Sequence, residues 1–229
     1  MKVTLFTSDD IRHNYLISII SKSCDKLFVV QETFLDSKKD SLKTPDSSDI
    51  IKDYYDKVYD AQIRMFGKKI SIDSLTNVKL IGFKEEELNN SSLDSFSEFL
   101  ESDIYIVFGS SYLKGPLVKF LIANKAINIH MGISPYYRGN SCNFWALFDN
   151  NPSYVGATIH KLTKGLDSGP IFFHCIPKLN KTDNIFDFTM RSVLSAQKGI
   201  EDFIRNCSFT DYELIIQDKK KEIRYARKK

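Results

Sequence analysis

Two polar stretches of this 229-residue chain carry residue types suited to chemistry. The first, Asn128–Asn143, reads NIHMGISPYYRGNSCN: a strand ends in polar residues and runs into a loop with Pro135, two glycines and a Tyr-Tyr-Arg triplet. The second, Gly156–Gly169, reads GATIHKLTKGLDSG and sets Asp167 in a glycine-flanked loop between strands. Asn128 and His130 stand two apart, so on an extended strand they project from one face. The Asn128 amide can donate hydrogen bonds. A carboxylate such as Asp167, placed against an imidazole, fixes its tautomer and stabilises its charged form. An amide donor, an imidazole and a carboxylate together suit acyl transfer. Singly, each has a duller explanation, since a histidine near a strand end is commonly structural and an Asp in a glycine-rich turn is ordinary turn chemistry. His160 and His174 sit on apolar strands and read as core or edge residues.

The elements that must position these groups follow from hydrophobic pattern. Lys2–Thr7 and Lys26–Gln31 are β-branched, apolar runs separated by Tyr15, Leu16, Ile19 and Ile20 at helical spacing. This β-α-β opening predicts a parallel sheet with right-handed crossovers. Residues 35–48, rich in Ser, Lys and Asp, read as a loop, and a helix through Ile51, Tyr54, Val58, Gln62 and Met65 stops at Gly67. Val78–Phe83, Asp103–Phe108 and Ala126–His130 read as further strands, with Leu117, Phe120 and Leu121 on a helix between the last two. Ligands of open α/β sheets bind beyond the carboxyl ends of the strands, where the NIH segment falls. Past Asn140, Phe144, Trp145 and Phe148 mark a helix, and Tyr154–Leu162 and Pro170–Ile176 two strands. Phe186, Met190, Val193, Leu194 and Ile204 lie on an amphipathic helix, and Tyr212–Gln217 with Glu222–Tyr225 predict a terminal hairpin.

Composition is that of an ordinary globular protein, 42% hydrophobic and 27% charged. No apolar run approaches the ~20 residues that cross a bilayer, and MKVTLFTSDD turns acidic too early for a signal peptide, so the expected compartment is cytoplasmic. The four cysteines, Cys24, Cys142, Cys175 and Cys207, are spaced as neither a metal knuckle nor a redox pair, and no metal site is expected. Net charge is +3, but Gln217–Lys229 holds seven basic and two acidic residues, which leaves the body at net −2. Such a body argues against a nucleic-acid platform.

Together, NIHMGISPYYRG and VGATIHKLTKGLDSGPI resemble the formyltransferase family that uses 10-formyltetrahydrofolate. Its members carry an Asn-x-His strand end, a loop reaching Pro-x-x-(Arg/Lys)-Gly, and a Gly-x-Thr strand leading to Asp-x-Gly, all present here in that order. The resemblance implies an α/β, Rossmann-like fold with a mostly parallel central sheet flanked by helices. Residues 1–180 would form the catalytic domain, with 181–229 as a short C-terminal helix and β-hairpin appendage packed on it. It implies Asn128, His130 and Asp167 as the catalytic trio. The folate pocket would be lined by Ser110, Ser111, Tyr112 and Leu113 and by Thr163, Gly165 and Leu166. The expected reaction is attack of an unprotonated amine on the formyl carbon, with Asn128 and His130 donating to the oxyanion and Asp167 orienting His130 and helping to take the proton.

The acceptor separates branches of the family. Glycinamide ribonucleotide formyltransferases carry a glycine-bearing phosphate loop after the first strand, where this chain reads TSDDIRHN. Methionyl-tRNA formyltransferases carry a further C-terminal domain of roughly a hundred residues, and here only about 50 residues follow the last strand. Arg12-His13-Asn14-Tyr15, the YYRG run and Asn143-Phe144-Trp145 look closest to sugar N-formyltransferases, which act on amino sugars carried on nucleoside diphosphates. On that resemblance Arg12, His13, Tyr136, Tyr137, Arg138 and Asn143 are the expected acceptor contacts, and pairing into a homodimer through C-terminal segments is implied. The remaining alternatives are another small-amine acceptor, a formyltetrahydrofolate hydrolase, or a non-catalytic binding domain.

Overall fold

The runs at 2–8, 26–33 and 104–108 form strands buried on both faces, as central strands of a parallel sheet are, whereas Val78–Lys84 is an exposed edge. In the computed structural model, which describes residues 1–34, 49–68, 70–206 and 212–226, β1 (Lys2–Ser8) pairs in parallel with β2 (Lys26–Thr33), and β2 with β3 (Val78–Lys84). On its other side β1 pairs in parallel with β4 (Ile104–Phe108), and β4 with β5 (Ile127–His130). A short strand, β6 (Tyr137–Gly139), leaves the sheet before β7 (Ala157–Lys161) returns antiparallel to β5, followed by β8 (Ile171–Cys175) antiparallel to β7. The seven-stranded order is β3-β2-β1-β4-β5-β7-β8, a mostly parallel α/β sheet. The expected loop at 35–48 lies outside the described residues, as does Cys207.

Helices cover both faces: α1 (Ile11–Ser21), α2 (Asp49–Phe66), the single turn α3 (Glu87–Asn90), α4 (Gly115–Ala123), α5 (Cys142–Phe148) and α6 (Ile185–Asn206). Alternation along the strands sorts the core into two layers. Val3, Leu5, Leu27, Val29, Ile104 and Ile106 pack with Leu16, Ile17 and Ile20 of α1 and with Met190, Val193, Ile200 and Phe203 of α6. Phe6, Phe28, Val30, Tyr105 and Val107 pack with Leu117 and Leu121 of α4 and with Phe96 and Phe99. Each such side chain contributes about 1.5–3 kcal/mol on burial. Among the described residues no helix is long and apolar enough to cross a membrane.

The terminal hairpin does not form. Ile215 instead makes an antiparallel bridge to Ile171 at the start of β8, and β9 (Arg224–Ala226) pairs in parallel with β6. Side-chain ties hold the second segment there: Arg224 Nε donates to Asp149 at 2.9 Å and its guanidinium covers Trp145, while Glu222 accepts from Arg138 Nη1 at 2.9 Å. Open strand edges on two different elements thus outcompete local pairing across the charged turn.

Candidate active site

Between β3 and β4 the chain crosses from one side of β1 to the other, so a crevice opens beyond the carboxyl ends of these strands. It widens past β5 into a cleft of about 2470 Å³. Asn128 and His130 enter it from the end of β5. Asp167 enters from the turn between β7 and β8, in a left-handed conformation with φ of 47°. That turn approaches β7 so closely that a Cβ on Gly169 would lie 1.8 Å from the Lys161 carbonyl oxygen, which only glycine permits.

The three groups meet. Asn128 Nδ2 donates to Asp167 Oδ1 at 3.2 Å, and His130 Nδ1 lies 3.3 Å from Asp167 Oδ2. The Gly139 N–H also donates to Oδ2, at 3.1 Å. Burial, at 8% exposure, pushes the Asp167 carboxyl up, but the His130 charge, the His160 ring and the Gly139 N–H outweigh it and hold the pKa at about 2. Asp167 is therefore a carboxylate near neutrality. His130 is pulled below its ordinary value by burial, against the opposing pull of Asp167 and the Tyr137 carbonyl. Its Nε2 lies 3.0 Å from that carbonyl oxygen, so both ring nitrogens face acceptors. A neutral imidazole has one N–H and satisfies one of them; an imidazolium satisfies both.

A fourth member has no precedent in the sequence reading. The β5–β7 register sets Asn128 directly opposite His160. His160 Nδ1 donates to the Lys161 carbonyl at 2.8 Å, which leaves Nε2 to accept from Asn128 Nδ2 at 3.0 Å. His160 is thus a core residue, 1% exposed, as its apolar strand predicts, and at the same time part of the cluster. The signal available was its spacing from Thr158 and Asp167 combined with strand pairing, which the sequence alone does not display. His174 stays outside, with Nε2 against the Ser134 carbonyl at 2.8 Å.

Ser110, Ser111, Tyr112, Leu113, Thr163, Gly165 and Leu166 all line the cleft. The two loops that carry them touch, since the Tyr112 hydroxyl donates to the Lys164 carbonyl at 3.0 Å. The expected acceptor contacts divide. Arg12 lines the cleft, with Nη2 3.2 Å from Asp10. His13 also borders it but is 3% exposed, packed against Phe108 and bonded through Nδ1 to Ser8 Oγ at 2.5 Å. Burial, helped by the Arg12 charge, lowers its pKa to about 3. Arg138 is spent internally, on Glu222 and on the Leu166 carbonyl at 2.8 Å. Asn143 bridges Ser192 Oγ and the Gly156 N–H. Tyr136 and Tyr137 are not among the lining residues: Tyr136 stacks on Tyr154, and Tyr137 is fully buried with its hydroxyl between Asp149 and Asn151. A tyrosine pair beside an arginine is as suited to packing as to binding, and here packing takes it.

Chemically the cluster can accept a proton at Asp167 or His130, and the Asn128 amide can present an N–H to a developing oxyanion on releasing either His160 or Asp167, which between them engage its two donors. Among the described residues no group of three His, Cys, Asp or Glu is arranged to hold a metal ion.

Comparison with known proteins gives the same direction. GDP-perosamine N-formyltransferase of Brucella melitensis is 24% identical over 150 residues, covering 65% of this chain and 57% of that protein. The chain thus spans little more than half the length of that relative. Formyltetrahydrofolate deformylase 2 of Arabidopsis thaliana, mitochondrial, is 33% identical over 86 residues, 38% of this chain and 24% of that one. In fold, the chain aligns with the N-formyltransferase from Helicobacter canadensis in complex with folinic acid and dTDP-3-aminofucose, at TM-score 0.62 and 16% identity, covering 99% of this chain and 71% of the other. It also aligns with glycinamide ribonucleotide transformylase 1 from Symbiobacterium toebii, at TM-score 0.58 and 16% identity, covering 95% and 94%. The profile described as formyl transferase matches residues 50–201, more than half of the chain and all of the Asn128–Asp167 cluster, and the chain belongs to the formyl transferase family.

Proposed function

We propose that the chain moves a formyl group from 10-formyltetrahydrofolate to the amine of a nucleotide-linked amino sugar. The observation that carries this reading is the meeting of Asn128, His130 and Asp167 in one cleft large enough for two substrates. The joined loops Ser110–Leu113 and Thr163–Leu166 are assigned to the folate. Arg12, with the neighbouring aromatic cluster of Tyr54, Phe144 and Phe186, is assigned to the acceptor. The amine attacks the formyl carbon, Asn128 and His130 stabilise the oxyanion, and Asp167 takes the amine proton directly or through His130; collapse then breaks the bond between the formyl carbon and N10, and tetrahydrofolate leaves with that proton while the formamide remains. For His130 Nε2 to donate, it exchanges the Tyr137 carbonyl for the substrate oxygen.

The sugar branch is supported by the relative named for GDP-perosamine and by the solved relative bound to folinic acid and dTDP-3-aminofucose. The start of α1 adds support against a phosphate at that helix end. The Asp10 carboxylate accepts the Ile11 N–H at 2.7 Å and occupies the place an anion would take. A second reading, hydrolysis of formyl-folate with water as acceptor, is favoured by the 33% identity to the deformylase.

One assay separates them. The protein is incubated with 10-formyltetrahydrofolate and each of a panel of amino-sugar nucleotides, and product mass is read for a formyl gain. Formyl gain on a panel member is the expected result. Tetrahydrofolate release that is independent of any amine overturns the transferase reading in favour of the hydrolase.

A further inference from the structure

Asp167 holds a left-handed backbone conformation that a non-glycine residue leaves readily unless its surroundings fix it. Three carbonyl oxygens of its turn are each taken by a side-chain donor from elsewhere. Arg138 Nη2 takes that of Leu166 at 2.8 Å, and Gln217 Nε2 takes those of Asp167 at 2.9 Å and Gly169 at 2.7 Å. Gln217 comes from the segment beyond α6, just after the Ile171–Ile215 bridge. Its amide is partly buried, and its own Oε1 is buried without a hydrogen-bond partner. The side chain is therefore held through its two N–H groups alone, one for each carbonyl.

We infer that Gln217 is a positioning residue for the reaction: by tying down the carbonyls of Asp167 itself and of Gly169, while Arg138 holds that of Leu166, it fixes the turn that aims the carboxylate at His130 and at the Gly139 N–H. The C-terminal segment is then part of the site and not an appendage to it. This rests on the role proposed for Asp167. With the tie lost, the turn relaxes, and the carboxylate leaves the partners that keep it ionised.

Gln217→Met keeps the length of the side chain and removes both donors. Two readouts are taken on the folded variant: turnover with 10-formyltetrahydrofolate and the amino-sugar nucleotide converted in the panel, and the carboxyl titration of Asp167 by ¹³C NMR. Expected is a kcat about 10–100-fold lower with the KM for the folate within twofold, as for an interaction felt at the reacting centre. The Asp167 carboxyl titrates at higher pH than in the unaltered protein. A residue that only stabilises the fold would lower the melting temperature and leave the titration in place. Gln217→Glu serves if the Met variant does not fold. A carboxylate there opposes both carbonyls, whereas its protonated form restores one donor, so activity relative to the unaltered protein rises as pH falls. A kcat and an Asp167 titration unchanged in Gln217→Met, or a relative activity of Gln217→Glu independent of pH, overturns the inference. Asp167→Asn is assayed alongside. If it keeps full turnover, the catalytic reading fails; if it is inactive while the Gln217 variants are normal, only the positioning role fails.

Discussion

Residues 110–114 and 166–168 line the same cleft, yet their loops are pinned in opposite senses. In the first loop, side-chain acceptors hold backbone donors. Glu32, fully buried at the end of β2, accepts from Ser111 N at 2.6 Å and Ser111 Oγ at 2.7 Å, and Asn89 Oδ1 accepts from Lys114 N at 2.7 Å. In the turn around Asp167, side-chain donors hold backbone acceptors, through Arg138 and Gln217. The titratable groups differ in the same way. His13, on the first side, is buried against Phe108 and held neutral, whereas Asp167, His130 and His160 form one interacting cluster. The contrast separates shaping from chemistry. One wall uses buried charge to shape a loop. The other turns electron-rich carbonyls towards donors and leaves the Asp167 carboxylate facing His130 and Asn128.

The largest test of this contrast is Asp167→Asn, which keeps the shape and removes the proposed base. Turnover should fall by roughly 10²–10⁴-fold with the circular dichroism spectrum unchanged. Next comes the silent histidine. The folded chain holds His13 neutral down to about pH 3, while the unfolded chain takes up a proton near pH 6.5. Stability is therefore fully present above 6.5 and falls as pH drops towards 3, by an amount on the order of 4 kcal/mol. Denaturant titrations over that range should show a flatter profile for His13→Gln.

Two glycines give a smaller contrast. A Cβ at Gly169 meets the backbone of β7, whereas one at Gly109, at φ of 71°, meets the His13 ring 2.3 Å away. Both alanine variants should be destabilised, Gly169→Ala by about 3 kcal/mol and Gly109→Ala by somewhat less because a side chain can shift where a backbone cannot, as urea midpoints would measure. The smallest effect belongs to Glu32→Gln. Loss of a charge-assisted pair of bonds should raise the KM for the folate about tenfold and leave kcat nearly unchanged, since Glu32 shapes the loop and does not touch the reacting groups.

Much of the fold is legible because parallel strands buried on two faces leave β-branched and apolar runs such as KVTLFT and DIYIVF. Asn128 and His130 are legible through period-two spacing, and Asp167 through its glycine-flanked turn. His160 is hidden because its neighbour is set by β5–β7 register, a non-local fact. His13 is hidden for another reason: its place depends on Gly109 allowing the ring close to β4, about a hundred residues away in the chain. The pairing of the terminal strands away from the predicted hairpin is hidden because a charged turn between two apolar runs carries no sign of which edges elsewhere stand open. Tyr136, Tyr137 and Arg138 look equally fit for binding and for bracing, and only their partners, Tyr154, Asp149 and Glu222, decide between the two.

The parallel pairing of β6 with β9 has a consequence for the order of events during synthesis. Arg138 and its partner Glu222 are 84 residues apart, and β6 also carries the Tyr137 carbonyl and the Gly139 N–H that flank His130 and Asp167. On a ribosome adding about 5–20 residues per second, α1 to α5 and the sheet emerge while β6 still lacks its neighbour. The nascent chain can thus acquire its core seconds before it acquires its braces. A chain stalled after α6 would be folded in outline with the Asp167 turn unsecured, and activity should appear after compactness in a synchronised translation.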